Sequence, residues 1–514
     1  MIETQVLVVG GGATGLGVAR DAALRGLSVV LVDRSDLGEG TSGRFHGLLH
    51  SGGRYVVKDP RAAAECMHEN RILRRIAGHC IEDTGGLFVS LSAEDSEYGD
   101  RFGAGCAEAG IPVEEIEPAA ALRREPRLHP GIQRAFAVPD ASVDGWRLLW
   151  GCADDVERRG GAILTYHEVE GLVVEGDRVC GAHVRDMRTG EGVEIRADIT
   201  VSAAGAWAGR IAAMAGLTVT VRGGRGIMIA LNHRLVHAVV NRCRMPADAD
   251  ILVPAHTVSV IGTTDSPVED PDDFSIPPGE VARVISSGAE MVPHMREARM
   301  LRVWAGIRPL YSEGPEGAST RDITRDYALL DHREREGVGG LLTITGGKLT
   351  TFRLMAEVAV DAVCEHLGVD VTCRTATEPL PGSEDGHTHH VGDRLAAREG
   401  NLHDEQLICE CELVTRGMLL DAVAAHPTTN LDDIRRAVRL GMGPCQGGFC
   451  IPRAAGVLTA AGHLDAATAN TAVRAFVEER WRGVWPILAG RQARQGRLDD
   501  WLFHGTLDID HLPA

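Results

Sequence analysis

Nowhere in the 514 residues does an apolar run approach the roughly 18 residues that a membrane-spanning helix requires, so any attachment to a membrane is expected to come through a partner. The apolar N-terminal stretch lacks a basic leader and carries Glu3, which favours a cytoplasmic chain over an exported one. Positive charge is also short: 53 Lys and Arg stand against 72 Asp and Glu, a formal charge of −19. A basic surface for nucleic acid is therefore not expected. Nor is there a disulfide framework. Eight of the 12 cysteines (Cys66, Cys80, Cys106, Cys152, Cys180, Cys243, Cys364, Cys373) are scattered without pattern and read as small buried hydrophobes.

What is present begins at Val6. Val6-Leu7-Val8-Val9 is followed by Gly10-Gly11-Gly12-Ala13-Thr14-Gly15, a helical stretch, and Val29-Val30-Leu31-Val32-Asp33. This is a strand, a Gly-x-Gly-x-x-Gly turn, a helix and a second strand ending in an acid. Gly10 permits the tight turn, Gly12 lets a pyrophosphate approach the backbone, and Gly15 lets helix and sheet close together. The free N–H groups of the helix N-terminus suit phosphate. Asp33 stands where a carboxylate accepts from ribose hydroxyls. With all of these in register, a dinucleotide site is expected.

The remaining four cysteines form a second site. Cys409-Glu410-Cys411 is separated by 33 residues from Cys445, which precedes Gln446-Gly447-Gly448-Phe449-Cys450. The intervening stretch has helical pattern at Gly417–Val423 and Leu431–Leu440, so two loops at the ends of a helical unit can gather four thiolates. Gly441, Gly443, Gly447 and Gly448 let backbone N–H groups point at sulfur, as an anionic [2Fe–2S] cluster needs. Zinc remains the alternative, although its ligand pairs usually have two to four residues between them.

Between the two sites, Leu37–Tyr55 is glycine-rich and polar and reads as a loop rather than core, and Ala62–Ile76 has helical periodicity. Alternating runs near 85–145 and 216–320 suggest a β-rich unit interrupting the nucleotide fold. Ile199–Trp207 and Leu341–Thr351 each read as a strand delivering a small-residue turn into a helix. Pro379–Gly392 reads as a linker, with His387, His389 and His390 as a solvated tract.

Four motifs together resemble the FAD-dependent glycerol-3-phosphate dehydrogenases: Gly43-Arg44-Phe45-His46-Gly47-Leu48-Leu49-His50-Ser51-Gly52-Gly53-Arg54-Tyr55, Ala305-Gly306-Ile307-Arg308-Pro309-Leu310, Thr324-Arg325-Asp326-Tyr327 and Gly346-Gly347-Lys348-Leu349-Thr350-Thr351. The cysteine unit resembles the bacterioferritin-associated-ferredoxin type of [2Fe–2S] domain. In this order, with Glu479-Arg480-Trp481-Arg482-Gly483-Val484 trailing, the whole resembles the A subunits of anaerobic glycerol-3-phosphate dehydrogenases. The resemblance implies an α/β, glutathione-reductase-like FAD fold of the D-amino-acid-oxidase type. Its FAD-binding parts would lie at about 1–84, 146–215 and 321–370, with a substrate domain at about 85–145 and 216–320. A linker at 371–404, the cluster domain at 405–458 and a helical tail at 459–514 would complete the chain. The implied reaction is oxidation of sn-glycerol 3-phosphate to dihydroxyacetone phosphate. Implied partners are a second flavoprotein subunit, together with an iron–sulfur, membrane-anchoring subunit that passes electrons to quinone at the inner face of the cell membrane. Two departures stand out: Arg225-Gly226-Ile227 replaces the Lys-Gly-Ser of relatives, and the linker is short.

Oxidising a secondary alcohol requires that a hydride leave carbon and a proton leave oxygen, so the protein supplies a base and orientation. His50 is the candidate base, since histidine titrates nearest working pH, with His46 as the fallback. A phosphate substrate calls for cationic forks, and Arg54, Arg308 and Arg325 each sit inside a matching motif. Lys348, at a helix start, would stand beside substrate oxygens or the flavin. For FAD the set is Gly10, Gly12, Ala13, Thr14, Gly15, Asp33, Arg34, Thr41, Ser42, Gly205, Gly346, Gly347, Lys348, Leu349 and Thr350. A 2-hydroxyacid or amine oxidase of the same fold is the competing enzyme, and a non-catalytic electron relay the competing non-enzyme. A nicotinamide cofactor is disfavoured because a second complete glycine fingerprint is absent.

Overall fold

A computed structural model describes residues 1–312, 320, 323, 325–400 and 406–511. Thr324, quoted above in a motif, lies outside the described residues. The central strand Ile2–Val9 pairs in parallel with Val29–Val32 on one side and Gly192–Ser202 on the other. Ala162–Leu164 extends the sheet beyond Val29–Val32, and Leu341–Gly346 adds in parallel to Gly192–Ser202. The chain thus leaves its first strand toward both sides. That switch point opens a crevice at Val9, where the glycine turn lies. The helix Ala13–Leu24 packs on the sheet between Gly145–Arg158 and Phe352–Leu367, and Leu16, Val18, Leu31, Val201, Ile344, Ala356 and Val360 close the core between them. The buried ion pair Arg353–Glu69, 2.7 Å, ties Phe352–Leu367 to the helix Pro60–Ile76.

A second sheet of nine strands stands over the crevice. Its longest pair is Val221–Leu231 with Met300–Tyr311, antiparallel along nearly their whole length. It recruits Gly86–Ser90, Glu114–Ile116 and Arg134–Val138 from the early part of the chain. The core under it is aliphatic, with Ile227, Ile229, Leu252, Ile261, Val284 and Val303 fully covered.

The C-terminal unit is a short hairpin, Leu407–Cys409 with Val414–Thr415, followed by the helices Arg416–Ala425, Leu431–Val438, Cys450–Ala460, Ala466–Val484 and Gly490–Asp500. Thr415, Asn430 and Asp465 cap three of these helices through their side-chain oxygens. The unit is clamped to the rest by buried ion pairs. Arg436 meets Asp36 at 2.7 Å and Glu39 at 2.8 Å, while Arg439 meets Glu412 at 2.8 Å and Asp144 at 3.3 Å. Among the described residues no helix is long and apolar enough to cross a membrane.

Three local readings need correction. The stretch expected as a linker is docked: Leu380 sits in the first core, its N–H donates to Ile76 O at 2.7 Å, and residues Val391–Glu399 form a helix. Its histidines are not uniformly solvated. The His389 N–H donates to Ile81 O at 2.7 Å and its ring packs 5.2 Å from His256. The loop Leu37–Tyr55 is interior, with Leu37, Leu48, Leu49 and Ser51 buried, and its Leu48–Leu49 pairs as a short strand with Ala141 and Ser142.

Candidate functional site

The glycine turn works through what its missing side chains leave room for. Gly10 has φ +115°, and a Cβ there would lie 2.7 Å from Ala203 O. A Cβ on Gly15 would strike the carbonyl of Gly10 at 1.8 Å, so the first turn of the helix closes directly on the strand end. The helix starts without a side-chain cap at Gly12, and its Ala13 N–H donates to Ser42 Oγ at 2.9 Å. Asp33 receives N–H groups from Gly11 at 2.6 Å and Ser35 at 2.8 Å, and burial raises its pKa to about 6. Arg34 stacks on Trp207 at 4.7 Å and pairs with Asp272 at 2.7 Å. Thr41 spends its hydroxyl on Ile307 O at 2.5 Å. Across the crevice, Gly346 and Gly347 both have positive φ and lead into the turn Leu349–Thr351.

These residues line one cavity of about 800 Å³. It also takes in Gly205, Thr14, Leu349 and Thr350 and ends against His46, His50, Arg54, Tyr55, Arg308, Arg325 and Lys348. The sequence-derived set, spread over more than 300 positions, is thus nearly all gathered at one space. Gly15 is set behind the turn as a packing residue.

His50 is held by its backbone: its N–H donates to Thr350 Oγ1 at 3.2 Å and its carbonyl accepts from Asn70 Nδ2 at 3.0 Å. Its ring lies 5.4 Å from Tyr55 and 6.2 Å from His46. Burial first, and then the neighbouring His46, Arg54, Lys348 and Arg325, push its pKa well below the ordinary histidine value. His46 is brought to about 3 by burial, Arg54 and Arg308, and its Nδ1 accepts the Leu48 N–H at 3.2 Å. Both imidazoles are therefore neutral, as a proton acceptor must be.

Three of the cations are fixed from behind. Arg308 donates to Asp265 Oδ1 at 3.0 Å, Thr264 O at 2.9 Å and Thr263 Oγ1. Burial and the adjoining Arg325 bring it down to about 10, which leaves it charged at neutral pH. Arg54 donates to Ala247 O at 3.0 Å and approaches Asp250 at 3.5 Å. Lys348 Nζ donates to Arg325 O at 2.9 Å and stands 5.1 Å from the Tyr55 ring. The helix Phe352–Leu367 begins just beyond, so its N-terminal pole adds to the same field.

Sequence reasoning missed the groups that hold these cations. Asp265, Thr263 and Thr264 carry no local motif. Gly226 matters because a Cβ there would lie 2.6 Å from Arg308 Nη2 and 2.5 Å from Thr264 O. Arg225, which departs from the family pattern, turns away from the cavity to Asp273 at 2.7 Å and Ser275 at 2.6 Å.

At the second site the four sulfurs make a closed ring of contacts, Cys409 to Cys411 to Cys445 to Cys450 and back to Cys409. Backbone N–H groups of Gly441 and Glu412 point at Cys409, and those of Gly447 and Phe449 at Cys445. The neighbouring thiols first, and then these donors, hold Cys409 and Cys445 far below the usual thiol range. A Cβ on Gly443 would fall 2.3 Å from Cys411 Cβ, so only glycine lets the loops close. Among the described residues no three His, Cys, Asp or Glu side chains are arranged to hold a metal ion as they stand. The donor set, all sulfur with N–H support, fits a [2Fe–2S] cluster. FAD is likewise fitted by the uncapped helix start, the glycine cradle and the adjoining cavity.

Comparison with known proteins agrees with both fits. A family model described as FAD dependent oxidoreductase matches residues 5–376, and one described as BFD-like [2Fe-2S] binding domain matches residues 407–460. The chain is 45% identical to the A1 subunit of the anaerobic glycerol-3-phosphate dehydrogenase of Haloferax volcanii, over 99% of this chain and 91% of that protein. It is 43% identical to the A subunit of the anaerobic glycerol-3-phosphate dehydrogenase of Escherichia coli K12, over 99% and 97%. Among solved structures, glycerol-3-phosphate dehydrogenase from Bacillus halodurans complexed with FAD aligns with TM-score 0.62 at 19% identity, covering 97% of this chain and 94% of that one. Glycine oxidase from Geobacillus kaustophilus aligns with TM-score 0.58 at 21% identity, over 74% and 99%. The chain belongs to the FAD-dependent oxidoreductases of the D-amino-acid-oxidase fold and, within them, to the anaerobic glycerol-3-phosphate dehydrogenase A subunits, with FAD and a [2Fe–2S] cluster as its cofactors.

Proposed function

We propose that this chain oxidises sn-glycerol 3-phosphate to dihydroxyacetone phosphate and passes the electrons, through partner subunits, to a quinone in the membrane. One observation carries the reading: a neutral, buried histidine and four cationic side chains meet at the end of the cavity that begins at the glycine turn. FAD, when bound, supplies the hydride acceptor. Every other task falls to the chain. Arg308, with its fork fixed by Asp265 and Thr264, receives phosphate oxygens, and Arg54, Arg325 and Lys348 complete a cationic wall. With the phosphate anchored, the C2 hydroxyl is directed to His50, whose neutral ring takes the proton as the hydride leaves C2.

The same cations that lower the pKa of His50 are those a phosphate dianion would neutralise. Substrate binding therefore raises the basicity of His50 when the base is needed. Asp33 would take the adenosine ribose, and the helix start at Gly12–Thr14 would face the pyrophosphate. Thr41 and Ser42 stand beside them in the following loop. Gly205, Gly346 and Gly347 let the backbone approach the flavin, with Leu349 and Thr350 at the helix start. The test is anaerobic flavin bleaching. Glycerol 3-phosphate should bleach the flavin and glycerol should do so far more weakly. Equal rates for the two would remove the phosphate wall from the account.

A further inference from the structure

The residue before cluster ligand Cys450 is Phe449, and its side chain is 55% exposed. Core-forming residues are seldom left in water beside a polar, ligand-bearing loop without cause, and here the exposure is not isolated. Of the chain's seven tryptophans only Trp485, 73% exposed, and Trp501, 67% exposed, face solvent, and both belong to the C-terminal helical tail. Leu488 and Leu498 are exposed in the same segment.

The segments that carry these residues pack on one another. The Gly448 Cα region lies against the tail, since a Cβ there would stand 3.5 Å from Asp499 Oδ1 and 3.8 Å from Leu502 Cδ1. Leu488 leans on the middle of the helix Gly490–Asp500, where a Cβ on Gly496 would be 2.7 Å from its Cδ1. The helix itself is anchored. Asp499 forms a buried 2.7 Å pair with Arg480, and Arg299 bridges the Gln492 side chain and Pro444 O in the cluster loop. The exposed side chains thus stand on a rigid support, as a recognition surface requires.

Charge marks the same place. The chain carries −19 overall, yet Arg491, Arg494 and Arg497 are exposed along this helix, and Asp500 is its one exposed acid. Aromatic anchors with an arginine rim beside a redox ligand loop have the composition of a protein interface core and its border.

We infer that Phe449, Trp485, Leu488, Leu498 and Trp501 form the docking face for a redox protein that takes electrons from the cluster, its contact surface apolar and ringed by acidic side chains. The inference rests on the function proposed above and gives its electron exit a location. Each glycerol 3-phosphate oxidised yields two electrons and two protons. The protons go to solvent, and the electrons leave singly from the reduced cluster to an oxidised one-electron centre on the partner, which is thereby reduced. A lipid surface would meet the same tryptophans and arginines, but it brings no one-electron centre to the cluster loop.

The test uses the full-length holoprotein and the double variant Trp485→Ser/Trp501→Ser, with Arg494→Glu/Arg497→Glu as a second variant that leaves the apolar patch intact. Membranes from cells lacking this chain provide the partner. Each protein, reduced by glycerol 3-phosphate or separately by dithionite, is titrated into them while quinone reduction is followed. Both variants should bleach with substrate and give the reduced-cluster paramagnetic signal as the parent does. The concentration giving half-maximal membrane-linked reduction should rise about tenfold or more, as loss of interface anchors demands. The parent's rate should fall with added salt. An unchanged half-saturating concentration in both variants would overturn the inference. So would flotation of the parent, but not of the tryptophan variant, with protein-free vesicles of equal parts phosphatidylcholine and phosphatidylglycerol, since the occupant would then be lipid. Failure of glycerol 3-phosphate to bleach the parent would sink the proposed function alone, and the dithionite-reduced arm would still judge the docking face.

Discussion

Replacing Arg308 by alanine separates a positioned phosphate-binding fork from an incidental buried arginine. The guanidinium is held before substrate arrives, by Asp265 at 3.0 Å, by Thr264 O at 2.9 Å and by Thr263. Little side-chain entropy then remains to be lost on binding, so most of the charge-assisted contact should appear in the measured rate. Removing one partner of such a contact costs on the order of 3 kcal/mol. At about 1.36 kcal/mol per decade this is a loss of about 150-fold in kcat/KM for glycerol 3-phosphate. Asp265 keeps the Thr320 hydroxyl at 3.2 Å, so the strand should survive the change. Arg308→Lys should recover only part of the loss, because an ammonium restores the charge but not the two-pronged geometry. The assay is anaerobic stopped-flow reduction of the flavin, with FAD content and the cluster signal as controls for folding. A rate within a factor of about three of the parent, in protein that holds both cofactors, would refute the assignment.

His50→Ala should slow flavin reduction by roughly 10² to 10⁴ with FAD retained, and an unchanged rate would pass the role of base to His46. Because the reactive form of His50 is neutral and its pKa lies well below 6.5, the acid limb of kcat/KM should fall below that pH. Arg54→Gln removes one of the cations depressing the ring, so the limb should move upward, while a limb set by phosphate ionisation would stay in place. Cys445→Ser or Cys450→Ser should abolish the reduced-cluster paramagnetic signal and leave substrate-driven flavin bleaching largely intact, and stoichiometric zinc without iron in anaerobically prepared parent protein would contradict the ligand set. Arg436→Ala should loosen the cluster unit by about 3 kcal/mol, since Asp36 and Glu39 would lose their buried partner. Protease cleavage near residue 400 would report the loosening, and unaltered resistance would argue against the clamp.

The features legible in the sequence were those written locally. The fingerprint from Val6 to Asp33 could be read because strand, turn and helix are contiguous and each glycine has a single steric task. The Cys409-Glu410-Cys411 spacing pointed to a cluster for the same reason. Arg308 and Lys348 are legible through motif resemblance, whereas Asp265 and Thr263, which hold Arg308 from the connection between the strands Val258–Gly262 and Ser266–Val268, and Gly226, which leaves room for it, have no signature of their own. The docked segment about Leu380 reads as a linker because a few apolar contacts among glycines and prolines leave no periodicity. The clamp from Arg436 to Asp36 joins residues 400 positions apart, and no local rule anticipates it.

The central claim is that one cavity unites FAD, a phosphate wall and a neutral histidine base for the oxidation of glycerol 3-phosphate. Its most direct test is an anaerobic single-turnover experiment, in which holoprotein is mixed with a stoichiometric amount of sn-glycerol 3-phosphate while flavin absorbance and product are measured together. The predicted result is bleaching of the flavin with dihydroxyacetone phosphate formed in proportion. A flavin that stays oxidised with this substrate, yet bleaches with a 2-hydroxyacid or an amine, would contradict it.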